Sequence, residues 1–380
     1  MTPKVGRAQT RLPDLVVWPA AFALSLGQWR HTAYFFGNCD ASALCDMSDV
    51  ARAVQAELGV LAGYPHWRYF QSRLLGPWAE NLLHILFGFN FLVAHMIVAI
   101  VVSTLCGAAM FYAGHAIGGR QSGWSALFAL QTLFALMMAR PWLYIWDYFI
   151  VLTGTVFLLL VIRRAPWWAF LLLMSAAFFN HESALFIGVW MVAKALTDAW
   201  GERRAVDWRM LGGGVLGSLG GILLIEFLRR SLLNKEIGWE MFADVGKAPS
   251  SGFDAYFHVQ ITANLRDMYH WVTAPGFDLA FLIPLPLVVV LILAFIMVKR
   301  HGLKAAALAV YAVTQVAALL AFGMRSETRN LLQLLPFLCL GGMLAAKSDW
   351  DALPATGSEQ PIHVDAGNPF TRRATRYRKA

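Results

Sequence analysis

Long apolar stretches joined by short polar segments fill most of this chain and decide what it can fold into. Of its 380 residues, 58% are hydrophobic and only 14% are charged, whereas soluble domains carry about a quarter charged residues. Several stretches reach the roughly 18 residues that a membrane helix needs, with almost no charge among them. Because the backbone must hydrogen-bond within the chain in lipid, and because no alternating barrel pattern is present, these stretches should be helices. The sequence therefore predicts an all-α, polytopic membrane helix bundle.

We expect about ten spans, and residues 1–346 then form one transmembrane domain with outer loops at 37–80 and 229–275. Residues 347–380 form a basic tail that is expected to be cytoplasmic and disordered. Gly213, Gly217 and Gly221 follow a G-x-x-x-G spacing, which predicts close helix packing in the seventh span. The predicted spans are Asp14–Phe36, a segment within Ile85–Ile117, Trp124–Met138, Trp146–Ile162, Trp167–Phe179, Ala184–Leu196, Leu211–Leu228, Phe277–Val298, Ala305–Phe322 and Leu331–Ala346.

The basic residues fall in alternate loops, which fixes the expected orientation of the chain. Short cytoplasmic loops are enriched in Lys and Arg, so the basic side, together with both termini, is assigned to the cytoplasm. The net charge of +8 does not indicate nucleic-acid binding, since no basic stripe with interleaved aromatic residues lies outside the spans. The basic side receives Lys4, Arg7, Arg11, Arg120, Arg163, Arg164, Arg203, Arg204, Arg209, Lys299, Arg300, Lys304 and the tail.

Both outer loops are expected to contain short surface helices. In the first loop, a helix beginning at Asp49 places Val50, Val54, Leu58 and Leu61 at helical spacing, with Glu57 on another face. This pattern is typical of an amphipathic helix in the membrane interface. The second loop predicts another short helix around Tyr256–Tyr269.

Two cysteines, Cys39 and Cys45, share the first outer loop. On the non-cytoplasmic side they fit either a disulfide or two free thiols, because spacing alone does not define their geometry.

Three acids follow the first span closely and are candidates for a general base. Asp49 is the first choice, and Asp46 and Asp40 are the alternatives. A carboxylate at a partly desolvated interface can accept a proton from a hydroxyl group. The competing interpretation is helix capping together with ordinary solvated loop acids.

His181 and Glu182 occupy a four-residue polar break between two apolar spans. Ionisable groups so close to lipid are costly unless they face a cavity or each other. A structural hydrogen bond between them is the alternative to a functional role. Their spacing is not a metal motif, because Leu185 stands where H-E-x-x-H requires a second His.

Several arginines on the outer side are candidates to bind a phosphate group. Each guanidinium fork donates two parallel hydrogen bonds, which suits a phosphate. The alternatives are an internal Arg–Glu network and snorkelling at the interface. The candidates are Arg325 and Arg329 with the intervening Glu327, Arg140 beside PWLYIW, and Arg73 before the second span.

Taken together, these features resemble the GT-C-type integral membrane glycosyltransferases. The matching pieces are GNCDASALCDMSD after the first span, the helix DVARAVQAELGV and the phrase HWRYFQSRLLGPW before the second. NHESALFI and MRSETRNLLQLLPFL are similar to polar breaks in uncharacterised bacterial members. The chain departs from the family in lacking a D-x-D pair, since Asp46-Met47-Ser48-Asp49 stands there.

The resemblance implies an enzyme of the bacterial inner membrane that transfers a sugar from a polyprenyl-phosphate donor to an acceptor hydroxyl at the periplasmic face. Its partners would be membrane lipids and that donor, and the need for a divalent metal is left open. Asp49 would take the proton of the acceptor, while Arg325, Arg329, Arg140 and His181 would hold the lipid phosphate.

Three other functions fit the same pattern. A transporter or flippase of a lipid-linked sugar would place polar sites near the bilayer midplane rather than at one end. Another outer-face transferase, such as a glycan polymerase, ligase or acyltransferase, would also use Arg, His and acids. A scaffold subunit without chemistry is the last alternative.

Overall fold

A computed structural model describes residues 15–37, 49–62, 73–137, 144–232, 261–273, 284–322, 328–348 and 350. Every regular element in those ranges is a helix. They are α1 Val17–Gly37, α2 Asp49–Ala62, α3 Leu75–Phe87, α4 Phe91–Met137, α5 Ile145–Ile162, α6 Trp167–Phe178, a 3-10 turn Glu182–Ala184, α7 Leu185–Glu202, α8 Trp208–Leu232, α9 Ile261–Thr273, α10 Pro284–His301, α11 Leu303–Phe322, a 3-10 segment Thr328–Leu334 and α12 Leu335–Ala346.

Five helical segments in the described ranges are long and apolar enough to cross a membrane. This confirms the expectation of an all-helical bundle of membrane character. Many of their large apolar side chains point outward, and Leu223 is 70% exposed; lipid is the solvent that suits such a surface. The five segments are Phe91–Leu136, Ile145–Ile162, Glu182–Gly201, Trp208–Arg229 and Leu303–Phe322.

The long helix α4 is two helices joined at a glycine pair. Gly118 and Gly119 leave the helical region, and Gly119 has φ 80° and ψ −169°, a conformation that is essentially restricted to glycine. The second half folds back on the first, so that the rings of Phe111 and Trp124 meet edge-on at 5.1 Å. Residues 91–117 and 120–137 therefore form a hairpin.

The glycines of α8 allow it to pack closely on two neighbouring helices, as their spacing predicts. A Cβ atom at Gly217 would collide with Met174 of α6, and one at Gly221 would collide with the ring of Phe178. A Cβ at Gly213 would lie 3.1 Å from the Cε of Met191 in α7. Small residues at such contacts let helix backbones approach each other.

The core lies between α5, α6, α7 and α11 and is rich in aromatic rings. Phe157 of α5 meets Trp190 of α7 edge-on at 5.3 Å and Tyr311 of α11 at 4.3 Å. Phe170 of α6 packs on Trp190 at 4.5 Å. Such ring pairs stabilise a core beyond the area that they bury.

The two ends of the bundle differ in chemistry. At one end, basic side chains donate to main-chain oxygens: Lys347 to Ile117 O at 2.5 Å, Arg300 to Ala345 O at 2.9 Å and Arg164 to Trp350 O at 3.1 Å. Cations suit the carboxyl ends of helices, where carbonyl groups lack helical partners. We call this the basic end. The opposite end, where α3 follows Arg73 and α5 begins, is called the rim end.

The helix expected at Asp49 is confirmed as α2, and the helix expected around Tyr256–Tyr269 is present as α9, shifted toward the carboxyl terminus. Cys39, Cys45 and residues 351–380 lie outside the described residues.

Candidate functional site

Four ionisable side chains from three distant stretches of the chain meet at the rim end. Glu182 lies at the centre of this set. Its Oε1 accepts a hydrogen bond from Arg229 Nη2, and its Oε2 lies 3.5 Å from Arg73 Nη2 and 3.6 Å from His181 Nε2. We call Arg73, His181, Glu182 and Arg229 the rim cluster.

The polar break after α6 positions His181 and Glu182. The backbone N–H of Ser183 donates to His181 Nδ1 at 3.0 Å, which caps the 3-10 turn. With Nδ1 accepting, the proton of a neutral imidazole sits on Nε2, which faces Glu182. The buried Asn180 ties this turn to α5, because its Nδ2 donates to Trp146 O at 2.9 Å.

Arg73 is fixed from two directions. Its guanidinium lies over the ring of Trp146, 5.6 Å from the centroid, which is a favourable cation–π placement. The next two residues are tied to the break after α6, since the N–H groups of Leu74 and Leu75 donate to Phe179 O at 2.7 and 2.9 Å. This segment is therefore held against the His181–Glu182 turn.

The rim cluster has the charge balance of an anion site. Two guanidinium groups face one carboxylate, and the side chains of Arg73 and Arg229 are only 12% and 6% exposed. Guanidinium groups stay charged at any physiological pH. Within these four residues the positive charge exceeds the negative charge, and little water screens it.

A second set of ionisable side chains lies next to the rim cluster, and no pattern in the sequence indicated it. Nδ1 of His95 in α4 lies 3.0 Å from Glu57 Oε2 of α2 and 2.8 Å from Glu80 Oε1 of α3. All three residues are at most 1% exposed. Burial, together with the neighbouring carboxylate of Glu57, raises the pKa of Glu80 to about 8. We call these three residues the buried triad.

The rim cluster and the buried triad share the start of α5. The backbone N–H of Ile145 donates to Glu57 Oε1 at 2.6 Å. The next residue is Trp146, and the guanidinium group of Arg73 lies over its ring. Tyr144 stacks on Trp146 at 4.4 Å, and its N–H donates to Asp147 Oδ2 at 3.0 Å. The rim cluster and the buried triad are therefore adjacent, and the first residues of α5 contact both.

Helix α2 closes over this shared layer. Ala53, Ala56 and Val60 of α2 are buried in the same apolar cluster as Tyr144 and Trp146. Helical spacing predicts Glu57 on a face other than the apolar face of α2, yet the structure buries it completely. Leu58 and Leu61, expected on the apolar face, are only partly buried. Small residues, Ala53 and Ala56, supply part of the buried face of α2, and small side chains let helices pack closely.

Of the residues predicted for the site, Arg73, His181 and Glu182 come together. Asp49 is the first residue of α2, and Arg329 belongs to the 3-10 segment before α12. Five others lie outside the described residues, namely Asp40, Asp46, Arg140, Arg325 and Glu327.

Four participants were missed: Arg229, Glu57, Glu80 and His95. Arg229 and its neighbour Arg230 disagreed with the basic-loop alternation, and this was a usable signal that the residue has a local partner. Glu57 and His95 are 38 positions apart and on different helices. No short motif spans such a distance, so the spacing rules for metal ligands could not detect them.

No family model, no curated protein and no solved structure matches this chain. The function is therefore argued from the residues themselves.

Proposed function

We propose that this chain is a GT-C-type glycosyltransferase of the bacterial inner membrane. It moves a sugar from a polyprenyl-phosphate donor to an acceptor hydroxyl at the periplasmic face. The observation that carries the proposal is the rim cluster, in which Arg73 and Arg229 flank Glu182 in a poorly solvated setting. Such a pair of guanidinium groups is suited to a phosphate with a lipid attached.

In this proposal the rim cluster binds the phosphate of the donor and stabilises the charge that develops on it. A guanidinium carries five N–H donors in a planar fork, so Arg73 and Arg229 can serve a phosphate while also contacting Glu182. Donors aimed at a leaving group in a water-poor site are a large source of catalysis. Arg325, Arg329 and Arg140 are further proposed phosphate ligands.

The polyprenyl chain would reach the rim cluster along α8. Leu216, Leu219, Leu223 and Phe227 recur at helical spacing on this helix, and each is more than half exposed. This apolar stripe ends at the rim end of α8, on the face of the helix opposite the buried Arg229, which stands two positions after Phe227. A lipid lying along the stripe would bring its phosphate to the depth of the rim cluster, and the phosphate would reach Arg229 around the end of the helix.

The proposed general base is Asp49, with Asp46 or Asp40 as alternatives. Asp49 begins α2 and stands four positions before Ala53, on the helical stripe that includes the buried Ala53 and Ala56. The acceptor oxygen forms a bond to the anomeric carbon of the sugar, and the bond from that carbon to the phosphate oxygen breaks. The acceptor proton passes to the carboxylate, and polyprenyl phosphate leaves.

The proposal includes ten membrane passes. Counting the two halves of α4 separately and adding α1, α6, α10 and α12 to α5, α7, α8 and α11 gives that number. The rim end then faces the periplasm, and both termini and the basic end face the cytoplasm.

The test supplies labelled polyprenyl-phosphate sugars and acceptor to the purified protein and to Asp49→Asn, Arg229→Lys and Arg329→Ala variants. A general base contributes about 10²- to 10⁴-fold, so Asp49→Asn should lose at least about 100-fold in kcat. Arg229→Lys should raise KM, because Lys cannot donate a parallel pair of hydrogen bonds. Asp198→Asn, which alters an exposed ion pair on α7, is the matched control and should leave turnover unchanged.

Turnover that is equal in all variants would overturn the residue assignment. Movement of a lipid-linked sugar across vesicles without any covalent product would instead identify a flippase, and covalent transfer of an acyl group would identify another outer-face transferase.

A further inference from the structure

We propose that the buried triad binds a divalent transition-metal ion, with Zn²⁺ or Mn²⁺ as its occupant. Glu57, Glu80 and His95 come from three different helices, and their ligand atoms all lie within 4.8 Å of one another. One imidazole nitrogen with two carboxylate oxygens is a ligand set that suits these ions.

The hydrogen bonds within the buried triad favour a metal ion as its occupant. Both carboxylate oxygens approach the same atom, His95 Nδ1, at 3.0 and 2.8 Å. One imidazole nitrogen carries at most one proton, and a single N–H serves two carboxylates poorly. A metal ion in place of that proton bonds to the nitrogen lone pair and to both oxygens at once.

The burial of two carboxylates also favours a metal ion at the triad. Carboxylates are rarely buried unless a cation accompanies them, and both Glu57 and Glu80 are at most 1% exposed. A metal ion that displaces the protons of the triad meets two ionised carboxylates and a neutral imidazole, and a divalent ion cancels their combined charge of −2.

The distances between the ligand atoms, and the hydrogen bond that holds Glu57 from outside, also fit a metal ion. Bonds of about 2.0–2.2 Å in a tetrahedral site put ligand atoms roughly 3.3 Å apart, so the separations of 3.0 and 2.8 Å between His95 Nδ1 and the two carboxylates need only small shifts. Calcium prefers six to eight oxygens at about 2.3–2.6 Å, which this set does not provide. The N–H of Ile145 holds the other oxygen of Glu57 at 2.6 Å, as outer partners hold metal-binding carboxylates.

The ion would join α2, α3 and α4 and, through Ile145, the start of α5. It would support the layer that carries Trp146 and Arg73 without itself touching the donor. This inference therefore stands apart from glycosyl transfer, and a chain that binds metal but moves no sugar would leave it intact.

The test strips the full-length purified protein with a chelator, reloads it with Zn²⁺ or Mn²⁺ and removes excess ion. Elemental analysis should find about one metal per chain, and the thermal midpoint should rise by several degrees, because an ion that binds the folded state stabilises it. Glu80→Gln and His95→Asn should each lose at least about tenfold in metal content. The matched controls His115→Asn and Asp198→Asn, which change exposed residues, should retain it.

Wild-type protein that retains neither ion after reloading overturns the inference, and so do triad variants that retain as much metal as the wild type. If His95→Asn does not fold, the isosteric Glu80→Gln variant and the wild-type stoichiometry still decide the question.

Discussion

Glu182 is the residue on which the rim cluster depends, because it faces Arg73 and Arg229 from a single position. Its two oxygens serve different guanidinium groups, and His181 approaches from the third side. Removing the negative charge would leave two arginine side chains in a poorly solvated region without their common counter-charge. Losing one partner of a buried charge pair costs more than the pair itself contributes.

Glu182→Gln should therefore lower the free energy of unfolding by about 1.5–3 kcal/mol, the range for a hydrogen bond to a charged group. Asp198→Asn is the comparison, since it removes an exposed i,i+4 pair with Lys194, worth about 0.5 kcal/mol or less. Thermal unfolding in detergent, followed for both variants, measures the difference. Inorganic phosphate should restore part of the loss in Glu182→Gln only, and equal effects of the two substitutions would contradict this role of Glu182.

At the level of single residues, the sequence revealed what is local and missed what is distant. His181 and Glu182 stand out because two charges interrupt apolar spans, and the structure brings them to Arg73. Glu57 looked like a solvent-facing residue of an amphipathic helix, yet it is fully buried. Its partner lies on another helix, and helical periodicity contains no information about such a partner.

Helix α8 packs closely on α6 and α7, and its glycines explain why. Gly221 faces the ring of Phe178, whereas Gly220 on the same turn has no atom within 4 Å of an added Cβ. These two neighbours differ in packing but share the same helix and the same residue type.

Gly221→Ala should destabilise the protein by about 1–3 kcal/mol, because the added methyl group must displace a packed aromatic ring. Gly220→Ala should be neutral or slightly stabilising, since alanine is the better helix former and nothing obstructs it. Thermal unfolding of the two variants side by side checks this. The predicted packing of α8 on α6 would be wrong if Gly221→Ala were as stable as Gly220→Ala.

The elements themselves were predictable where a pattern is long or sharply bounded. The start of α2 at Asp49 and the span of α5 agree closely with expectation. The buried face of α2 was predicted only in part. Val54 is buried as expected, but Ala53 and Ala56 also belong to the buried face, and small residues carry little weight in a search for apolar periodicity. The break between the spans predicted within Ile85–Ile117 and at Trp124–Met138 is also confirmed, and Gly118 and Gly119 form its turning point.

The molecule as a whole has one basic end and one end with mixed charges. The main-chain contacts of Arg164, Arg300 and Lys347 gather the basic loops at a common level. Alternation of loop charge predicted that separation, because the charge rule acts on the whole topology rather than on single contacts. The convergence of Arg73, Glu182 and Arg229 was not predictable, since it depends on the tertiary packing of helices far apart in the chain.

Cysteines placed at the two ends should react from opposite sides of the membrane. In a protein whose Cys39 and Cys45 are changed to Ser, Ser183→Cys should react with a membrane-impermeant thiol reagent added to intact spheroplasts. Arg204→Cys, which lies in the exposed turn after α7, should react only after the membrane is permeabilised. Labelling of both positions from one side would refute the proposed orientation, and the buried Cys106 and Cys339 serve as unreactive references.

The tie between Lys347 and the carbonyl of Ile117 joins the last described helix to the turning point of α4, and Pro336 of α12 packs against Gly154 of α5. The bundle is thus completed by a segment that is translated after all the other described helices. Until residues 335–347 emerge, the flank of α4 and α5 that they cover has no protein neighbour from this helix. A truncated or stalled chain would expose that flank to the insertion machinery and to membrane proteases, which makes completion of translation a condition for closing the fold.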